Sequence, residues 1–258
     1  MEAGDSYDRY MGRWSAKIAP LFLEWLACAP NRDWAEIGCG TGALSRSIVA
    51  ACVPASLVGV DPSEGFLRAA REKLPDPRIR FMIGDAQALP LDDNSADMVV
   101  SGLVLNFVRD RTLAMAEMRR IARPGATVAF YVWDYPGGGM GIMRAFWTEA
   151  VAQHPEAHDL TEDRRFPFCT RPALTDLAQS AALNKVEATT IEIPAHFSDF
   201  DDFWLPFTLG AGPAPGYCAS LDPDARQRLR DRLDRNLPRN ADGSLTLPVR
   251  AWAIRGKV

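Results

Sequence analysis

The first half of the chain alternates between short apolar runs and stretches with helical periodicity. The apolar runs predict five strands, at Trp34–Ile37, Ser56–Val60, Ile79–Ile83, Ala96–Leu105 and Thr127–Trp133. The periodic stretches predict helices at Ser15–Cys28, Leu44–Cys52, Ser63–Leu74 and Asp110–Ala122. Strands that alternate with helices are typical of right-handed βαβ units, which form a parallel sheet covered by helices on both faces.

The alternation ends after Trp133, where insertions separate two further predicted strands. The predicted elements there are a largely helical region at 142–185, a sixth strand at Val186–Phe197, an aromatic, Pro- and Gly-rich stretch at 198–220, a charged helix from Asp222 to about Asn236 and a last strand at Leu245–Ile254. The last strand needs a sheet to join, so a separate C-terminal domain is not expected.

We therefore predict one domain over residues 1–258. Its predicted parts are an N-terminal lid and helix (1–30), a core that holds the ligand (31–134), two cap insertions (135–185 and 198–240) and two strands that complete the sheet (186–197 and 245–255).

The charge balance excludes some classes of partner. The chain has 258 residues and a formal net charge of −4, so no basic field is available to hold nucleic acid. The first residues, MEAGDSYDRY, are polar and acidic, which is unlike a signal peptide, and no apolar run is long enough to span a bilayer. No pattern in the chain indicates an oligomeric state.

The cysteines and histidines suggest neither a disulfide framework nor a metal site. The five cysteines show no CxxC motif and no regular spacing, so we interpret them as reduced thiols of a cytoplasmic protein. His154 and His158 have a spacing that suits a metal on a helix, but Pro155 interrupts the pair and no third ligand is evident. We therefore predict no metal.

A glycine loop follows the first predicted strand and carries the candidate chemistry. An acidic residue precedes three glycines at alternate positions: Glu36, Gly38, Gly40 and Gly42. A dinucleotide fingerprint is satisfied by two of these glycines with Ala43, and Asp61 lies at the distance where such sites place an acid. The pattern acid-x-G-x-G-x-G, which is typical of sites for S-adenosylmethionine, is also satisfied. The loop alone does not distinguish the two ligands.

Four motifs in order resemble those of the class I S-adenosylmethionine-dependent methyltransferases, over roughly Trp34 to Trp133. They are EIGCGTG in the glycine loop, GVDPS at the end of strand two, GDAQALPL after strand three, and SADMVVSGLVLNFV with the following RIARPGATVAFYVW around strands four and five. Together they look like the group of small-molecule enzymes that includes quinone-biosynthesis methyltransferases. The chain departs from this group at Asn106-Phe107, where relatives often carry histidine, so no histidine base is carried over.

The resemblance implies a fold and an activity. The expected fold is an α/β, Rossmann-like sheet of seven strands, mostly parallel with strand seven antiparallel, with helices on both faces and a helical, aromatic cap inserted after strand five. The expected activity is in-line transfer of a methyl group from S-adenosylmethionine to a small, apolar or aromatic acceptor. Two alternative functions stay open, an NAD-dependent oxidoreductase and a non-catalytic S-adenosylmethionine-binding protein.

The resemblance also implies candidate cofactor contacts. The full set is Tyr10, Arg13, Glu36, Gly38, Gly40, Asp61, Pro62, Asp85, Ala86, Ser101 and Leu103. Asp61 would accept hydrogen bonds from both ribose hydroxyls, while Asp85 would meet the adenine amino group. Loop carbonyls near Gly38 would hold the methionine ammonium, and Arg13 would meet its carboxylate. No catalytic residue is assigned, although Asp134, Tyr135 and Asn106 lie where one could act.

The cap segments are dense in aromatic residues and methionine. This density predicts either an apolar acceptor pocket or only the hydrophobic core of a helical cap, and the pattern does not decide between them.

Overall fold

The computed structural model describes residues 11–209 and 212–258, and this part of the chain contains seven strands. They are β1 (Asp33–Ile37), β2 (Ser56–Asp61), β3 (Ile79–Ile83), β4 (Ala96–Gly102), β5 (Ala122–Trp133), β6 (Asn184–Phe197) and β7 (Leu245–Lys257).

Helices connect these strands throughout the described ranges. They are α1 (Arg13–Leu26), α2 (Ala43–Cys52), α3 (Glu64–Lys73), α4 (Arg111–Ile121), α5 (Gly141–Gln153), α6 (Glu162–Arg165), α7 (Arg171–Ser180), α8 (Phe200–Trp204), α9 (Pro213–Ser220) and α10 (Pro223–Asn236). Two 3-10 helices add Pro155–Leu160 and Leu205–Thr208. None of the described helices is long and apolar enough to cross a membrane.

The sheet has the order β3-β2-β1-β4-β5-β7-β6. β1 pairs in parallel with β2 and β4, and the pairs β2–β3 and β4–β5 are also parallel. β7 runs antiparallel to β5, because Gly125 N–H donates to the carbonyl of Val258 and Val258 N–H donates to that of Ala126. The predicted fold class, a mostly parallel seven-stranded sheet with strand seven antiparallel, is confirmed.

The chain divides into two compact units. Of the described residues, the core unit comprises 15–132, 169–191 and 251–258, and the cap unit comprises 11–14, 133–168, 192–209 and 212–250. The expectation of one domain with insertions stays a prediction.

Side-chain caps fix several helix starts in the core unit. Ser63 accepts a hydrogen bond from Phe66 N–H at the start of α3, and Asp110 accepts one from Leu113 N–H at the start of α4. Such caps satisfy backbone donors that would otherwise have no partner in the first turn. β5 begins earlier than its apolar pattern predicts, because Ala122 pairs with Ala96 before an irregularity in the register.

Stacked and edge-on aromatic rings fill the interior of the cap unit. Phe146 stacks on Phe207 with 4.4 Å between the ring centroids, and Trp147 meets Tyr217 at 5.5 Å. α10 buries Leu229 and Leu233, as its helical pattern predicts. Most of the aromatic density of the cap segments therefore serves as a hydrophobic core.

Candidate functional site

The loops that follow β1, β2, β3 and β4 all belong to the core unit and all leave the carboxyl ends of parallel strands. Such ends meet at one edge of a parallel sheet, which is where open α/β sheets bind their ligands. Nine of the eleven candidate residues lie on these loops or strand ends, and the other two, Tyr10 and Arg13, precede the core unit.

Two glycines of the loop after β1 have different requirements. Gly38 has φ +74°, and a Cβ there would lie 2.4 Å from the side chain of Val104, so close packing requires glycine. Gly40 has φ +55°, yet a Cβ there would meet no heavy atom within 4 Å. The backbone at Gly40 therefore borders open space, where an extended ligand can approach it.

Asp61, at the end of β2, is tied to this loop through its carboxylate. Its Oδ2 accepts a hydrogen bond from Gly40 N–H and its Oδ1 accepts one from Ser63 N–H, both at 2.9 Å. Burial raises the pKa of Asp61, and these two backbone hydrogen bonds oppose the rise. Each carboxylate oxygen can accept a second hydrogen bond, so the group retains capacity for a ligand.

Glu36 lies behind the loop with only 2% of its surface exposed. Its carboxyl accepts a hydrogen bond from the Ser45 hydroxyl at the start of α2. Burial raises the pKa of Glu36 to about 8, the Ser45 hydrogen bond acts against the rise, and the charge of Asp61 adds to it. No lysine or arginine of the described ranges forms an ion pair with either acid, so two buried carboxyls adjoin the loop without a compensating cation.

The end of β4 is held against its neighbouring strands. The Ser101 hydroxyl donates to the carbonyl of Ile37 at 2.8 Å, which ties this end of β4 to the end of β1. Leu103 has φ +63°, a left-handed conformation that costs energy for a residue with a side chain, and its N–H donates to the carbonyl of Tyr131. Backbone strain that surrounding bonds maintain is common at functional sites.

Asn106, three residues further on, is 4% exposed, and its side-chain Nδ2 has no hydrogen-bond partner among the described residues. A buried donor without a partner costs free energy, which a ligand acceptor could recover. The sequence indicated this position as a departure from a histidine pattern and as a residue that could act at the reaction centre, and the structure adds a buried Nδ2 without a partner among the described residues.

The remaining core candidates lie at more open positions. Asp85 is exposed, and its Oδ1 accepts a hydrogen bond from Gln87 N–H at 2.8 Å, which closes the turn after β3. Ala86 is half-buried beside it, and Pro62 is exposed after β2. Their contacts with adenine stay predictions.

Arg13 belongs to the cap unit and is already engaged there. Its Nη1 lies 2.7 Å from Oδ1 of Asp202, and its guanidinium carbon lies 4.4 Å from the ring centroid of Trp14 and 4.6 Å from that of Phe197. Its Nε and Nη2 are buried and have no hydrogen-bond partner in the described ranges. The proposed contact with a carboxylate stays a prediction, and Tyr10 lies outside the described residues.

Asp134 is buried and forms an ion pair, so its carboxylate is not open to a ligand. It is 1% exposed, its Oδ2 lies 2.7 Å from Nε of Arg250, and its Oδ1 accepts a hydrogen bond from Gly137 N–H. The carboxylate is therefore committed to an ion pair and a turn inside the cap unit, which argues against its use as a general base.

The cap unit also contains a half-open cavity of about 420 Å³. Its wall combines aromatic, thioether and ionisable side chains: Tyr135, Met140, Met143, Arg144, Trp147 and Glu162. Most of the rings lie in the core of the cap, and that this cavity takes the methyl acceptor stays a prediction. Glu162 was not predicted, because its partner Trp147 lies 15 residues away in the chain and the surrounding EDRR has the pattern of a solvated helix.

Comparison with known proteins finds similar methyltransferases. Residues 35–130 match the family model described as a methyltransferase domain. A demethylmenaquinone methyltransferase from Roseiflexus sp. is 36% identical over 144 residues, which cover 48% of this chain and 60% of that protein. A malonyl-[acyl-carrier protein] O-methyltransferase from Methylococcus capsulatus is 36% identical over 102 residues, covering 39% of this chain and 37% of that protein. The matches thus span less than two thirds of either relative.

A solved structure extends the likeness to the whole fold. A putative methyltransferase from an antibiotic biosynthesis pathway of Anabaena variabilis has a TM-score of 0.64 at 19% identity, with 94% of this chain and 97% of that chain covered. Residues 35–130 therefore carry a methyltransferase domain, as the four motifs indicated, and the matched relatives support a class I S-adenosylmethionine-dependent methyltransferase. The solved structure shows that the similar fold extends over nearly the whole chain.

Proposed function

We propose that this protein transfers a methyl group from S-adenosylmethionine to a small, apolar or aromatic acceptor. The class of the fold supports methyl transfer, and the curated relatives act on small molecules or carrier-bound groups according to their names. The fold alone would not be sufficient, because one fold serves many functions. The proposal therefore depends on the buried acidic side chains at the loop after β1.

The central observation is the pair of buried acids, Glu36 and Asp61, at the glycine loop. Neither has a cationic partner among the described residues, and the charge of Asp61 raises the pKa of Glu36. A ligand with a sulfonium and an ammonium group would interact favourably with the charge of Asp61 and would favour the ionised form of Glu36, whereas the charge of Asp61 would repel the pyrophosphate of a dinucleotide. The same loop that satisfies the dinucleotide pattern in sequence therefore favours S-adenosylmethionine in its electrostatics.

The residues present suit the cofactor in further respects. Asp61 is proposed to accept hydrogen bonds from the ribose hydroxyls with the acceptor capacity that Gly40 and Ser63 leave free. The open space at Gly40 admits the ligand to the backbone. We also propose that the adenine is contacted by Asp85, Ala86 and Pro62. The backbone at Gly38, Ser101 and Leu103 is proposed near the methionine ammonium, with Glu36 acting behind it through its charge.

When bound, S-adenosylmethionine would supply an electrophilic methyl group on its sulfonium, and the residues named above would hold it at the glycine loop. The contribution of this chain is to hold the acceptor in line with the sulfonium–methyl bond and to exclude water, which together supply much of the rate. The Asn106 Nδ2 is the described donor best suited to orient a polar acceptor atom, because it is buried and without a partner.

Arg13 is proposed to meet the carboxylate of the cofactor. Its Nε and Nη2 support the proposal, because they have no hydrogen-bond partner among the described residues and the ion pair with Asp202 does not use them. Arg13→Ala is expected to weaken S-adenosylhomocysteine binding and to leave 5′-methylthioadenosine, which lacks the carboxylate, nearly unchanged. Equal weakening of both ligands would assign Arg13 to the stability of the cap instead.

The proposal is tested by titrating Asp61 variants with S-adenosylhomocysteine. Asp61→Asn keeps the size of the side chain but removes the charge that strengthens two ribose hydrogen bonds, each worth about 1.5–3 kcal/mol, so affinity should fall at least tenfold. Asp76→Asn is the matched control, because Asp76 is an acid at a turn of the same unit whose carboxylate pairs with Arg78. Unchanged affinity in a folded Asp61→Asn protein contradicts the ribose assignment, and a radiolabelled methyl-donor assay over a metabolite panel then tests turnover.

A further inference from the structure

The cavity of the cap unit contains one ionisable group that is almost completely buried. Glu162, the first residue of α6, is 6% exposed and lines the cavity of about 420 Å³. Its Oε2 accepts a hydrogen bond from the indole N–H of Trp147 at 2.5 Å. Within the described ranges no lysine, arginine or histidine forms an ion pair with Glu162.

The surroundings of Glu162 disfavour its charge when the cavity holds no ligand. Burial raises the pKa of Glu162 to about 7, and the hydrogen bond from Trp147 and the charge of Arg165 only partly oppose that effect. A buried acid without a cation is costly unless it is protonated or paired. A cation brought by a ligand would remove this cost and would gain a charge-assisted hydrogen bond.

The rest of the wall suits an organic cation better than a metal ion or an anion. Tyr135 and Trp147 present aromatic rings, and Met140 and Met143 present thioethers, which pack against apolar and aromatic bodies. Hard metal ions need several oxygen ligands, and no cluster of three or more metal-ligating side chains occurs in the described residues. Arg144 could attract an anion, but its side chain is exposed whereas Glu162 is buried.

We propose that the cap cavity binds a small protonated amine on an apolar or aromatic body, with the ammonium hydrogen-bonded to Glu162. The volume suits such a ligand, since small-molecule pockets begin at about 300 Å³. The inference concerns this cavity of the cap unit alone, so it does not rest on the proposed cofactor site of the core unit. The ammonium holds the ligand in the cavity through Glu162, and binding of the amine can be measured without methyl transfer.

The pH dependence of binding follows from the same group. Ligand binding requires ionised Glu162, so protonation competes with the amine below the pKa of about 7. Affinity should rise about tenfold between pH 6 and pH 8 and then level off. The other charged or titratable groups that face the cavity are Tyr135, Arg144, His158, Asp163 and the nearby Arg165. Of these types, only histidine ordinarily titrates in that window.

The experiment titrates the full chain with 2-phenylethylamine and with its neutral isostere 2-phenylethanol by calorimetry at pH 8. We expect the amine to bind at least tenfold more tightly than the alcohol. Glu162→Gln should remove this preference while leaving S-adenosylhomocysteine binding unchanged, which shows that the variant is folded. Equal affinity for the two probes, no amine binding at millimolar concentration, or a preference that survives Glu162→Gln overturns the proposal.

Two further variants separate Glu162 from its neighbours. His158→Gln should keep the rise in amine affinity between pH 6 and pH 8, and a loss of the rise in this variant would assign the effect to the imidazole. Glu162→Asp keeps the charge and should retain part of the preference for the amine. If the wild type binds S-adenosylhomocysteine but not the amine, the present inference fails and the proposed cofactor site stands; if neither binds, the proposed function fails as well.

Discussion

Replacing Glu36 by glutamine tests the unusual environment behind the glycine loop. Burial raises the pKa of Glu36 to about 8, against an ordinary value of 4.5. The native protein therefore binds the proton more tightly than the unfolded chain does, and the stability contributed by this group falls as pH rises from 4.5 to 8. Below that window both states are protonated, and above it both are ionised.

The change in the free energy of unfolding follows from the difference between the native pKa of about 8 and the ordinary pKa of 4.5. At about 1.4 kcal/mol per pKa unit, this change is roughly 5 kcal/mol. This is an upper value, because water penetration and relaxation of the native protein reduce such penalties. Glutamine keeps the shape and can still accept the hydrogen bond from Ser45, but it cannot ionise. Glu36→Gln should therefore match the wild type near pH 4.5 and be several kcal/mol more stable at pH 8.

Urea unfolding of both proteins at a series of pH values from 5 to 9, without ligand, measures the effect as the difference in free energy of unfolding. Asp76→Asn serves as a control for charge removal, because Asp76 is a partly exposed acid of the same unit. Parallel stability curves for the wild type and Glu36→Gln would refute the reasoning, since they would mean that Glu36 ionises in the native protein as easily as in the unfolded one.

The remaining predictions concern the loop, the cap and the ligand. Gly38→Ala should destabilise the core by well over the ~1–2 kcal/mol that an alanine in the left-handed conformation costs, because its Cβ would also collide with the side chain of Val104. Gly40→Ala should cost only that conformational energy, and the urea concentrations at the unfolding midpoints of the two variants measure the difference. Asp134→Asn, which breaks an ion pair whose carboxylate is buried, should cost about 3 kcal/mol, while Asp201→Asn at a more exposed pair should cost less than about 1 kcal/mol; similar losses would contradict the burial argument. Affinity for S-adenosylhomocysteine should rise from pH 6 to pH 8 in the wild type but stay level in Glu36→Gln, because the ligand ammonium favours the ionised carboxyl; calorimetry with adenosine, which has no ammonium, should show no such rise.

The sequence predicted the core better than the cap, for physical reasons. Local patterns determine the strands and helices of βαβ units, so all five early strands were found, with β5 extended to Ala122 by its pairing with Ala96. The first helix begins at Arg13 rather than at Ser15, and the aromatic stretch after Phe197 folds into short helices that no periodicity marks.

The residues of the candidate site also differ in whether local sequence or tertiary contacts determine their positions. Motif positions such as Asp61 could be predicted because a strand end fixes where they lie. The unsatisfied amide of Asn106, the ion pair of Asp134 with Arg250 and the burial of Glu162 could not be predicted, because each depends on tertiary contacts. A charged residue at a helix start is usually solvated, and only its contact with Trp147 distinguishes Glu162 from its neighbours.

The most direct test of the central claim is a pair of calorimetric titrations of the wild-type chain, one with S-adenosylhomocysteine and one with NADH. The ammonium of the first ligand favours the ionised form of the two buried acids at the glycine loop, whereas a pyrophosphate disfavours it. We expect S-adenosylhomocysteine to bind in the micromolar range, roughly −8 kcal/mol, and NADH not to bind. Tight binding of NADH without binding of S-adenosylhomocysteine would contradict the account.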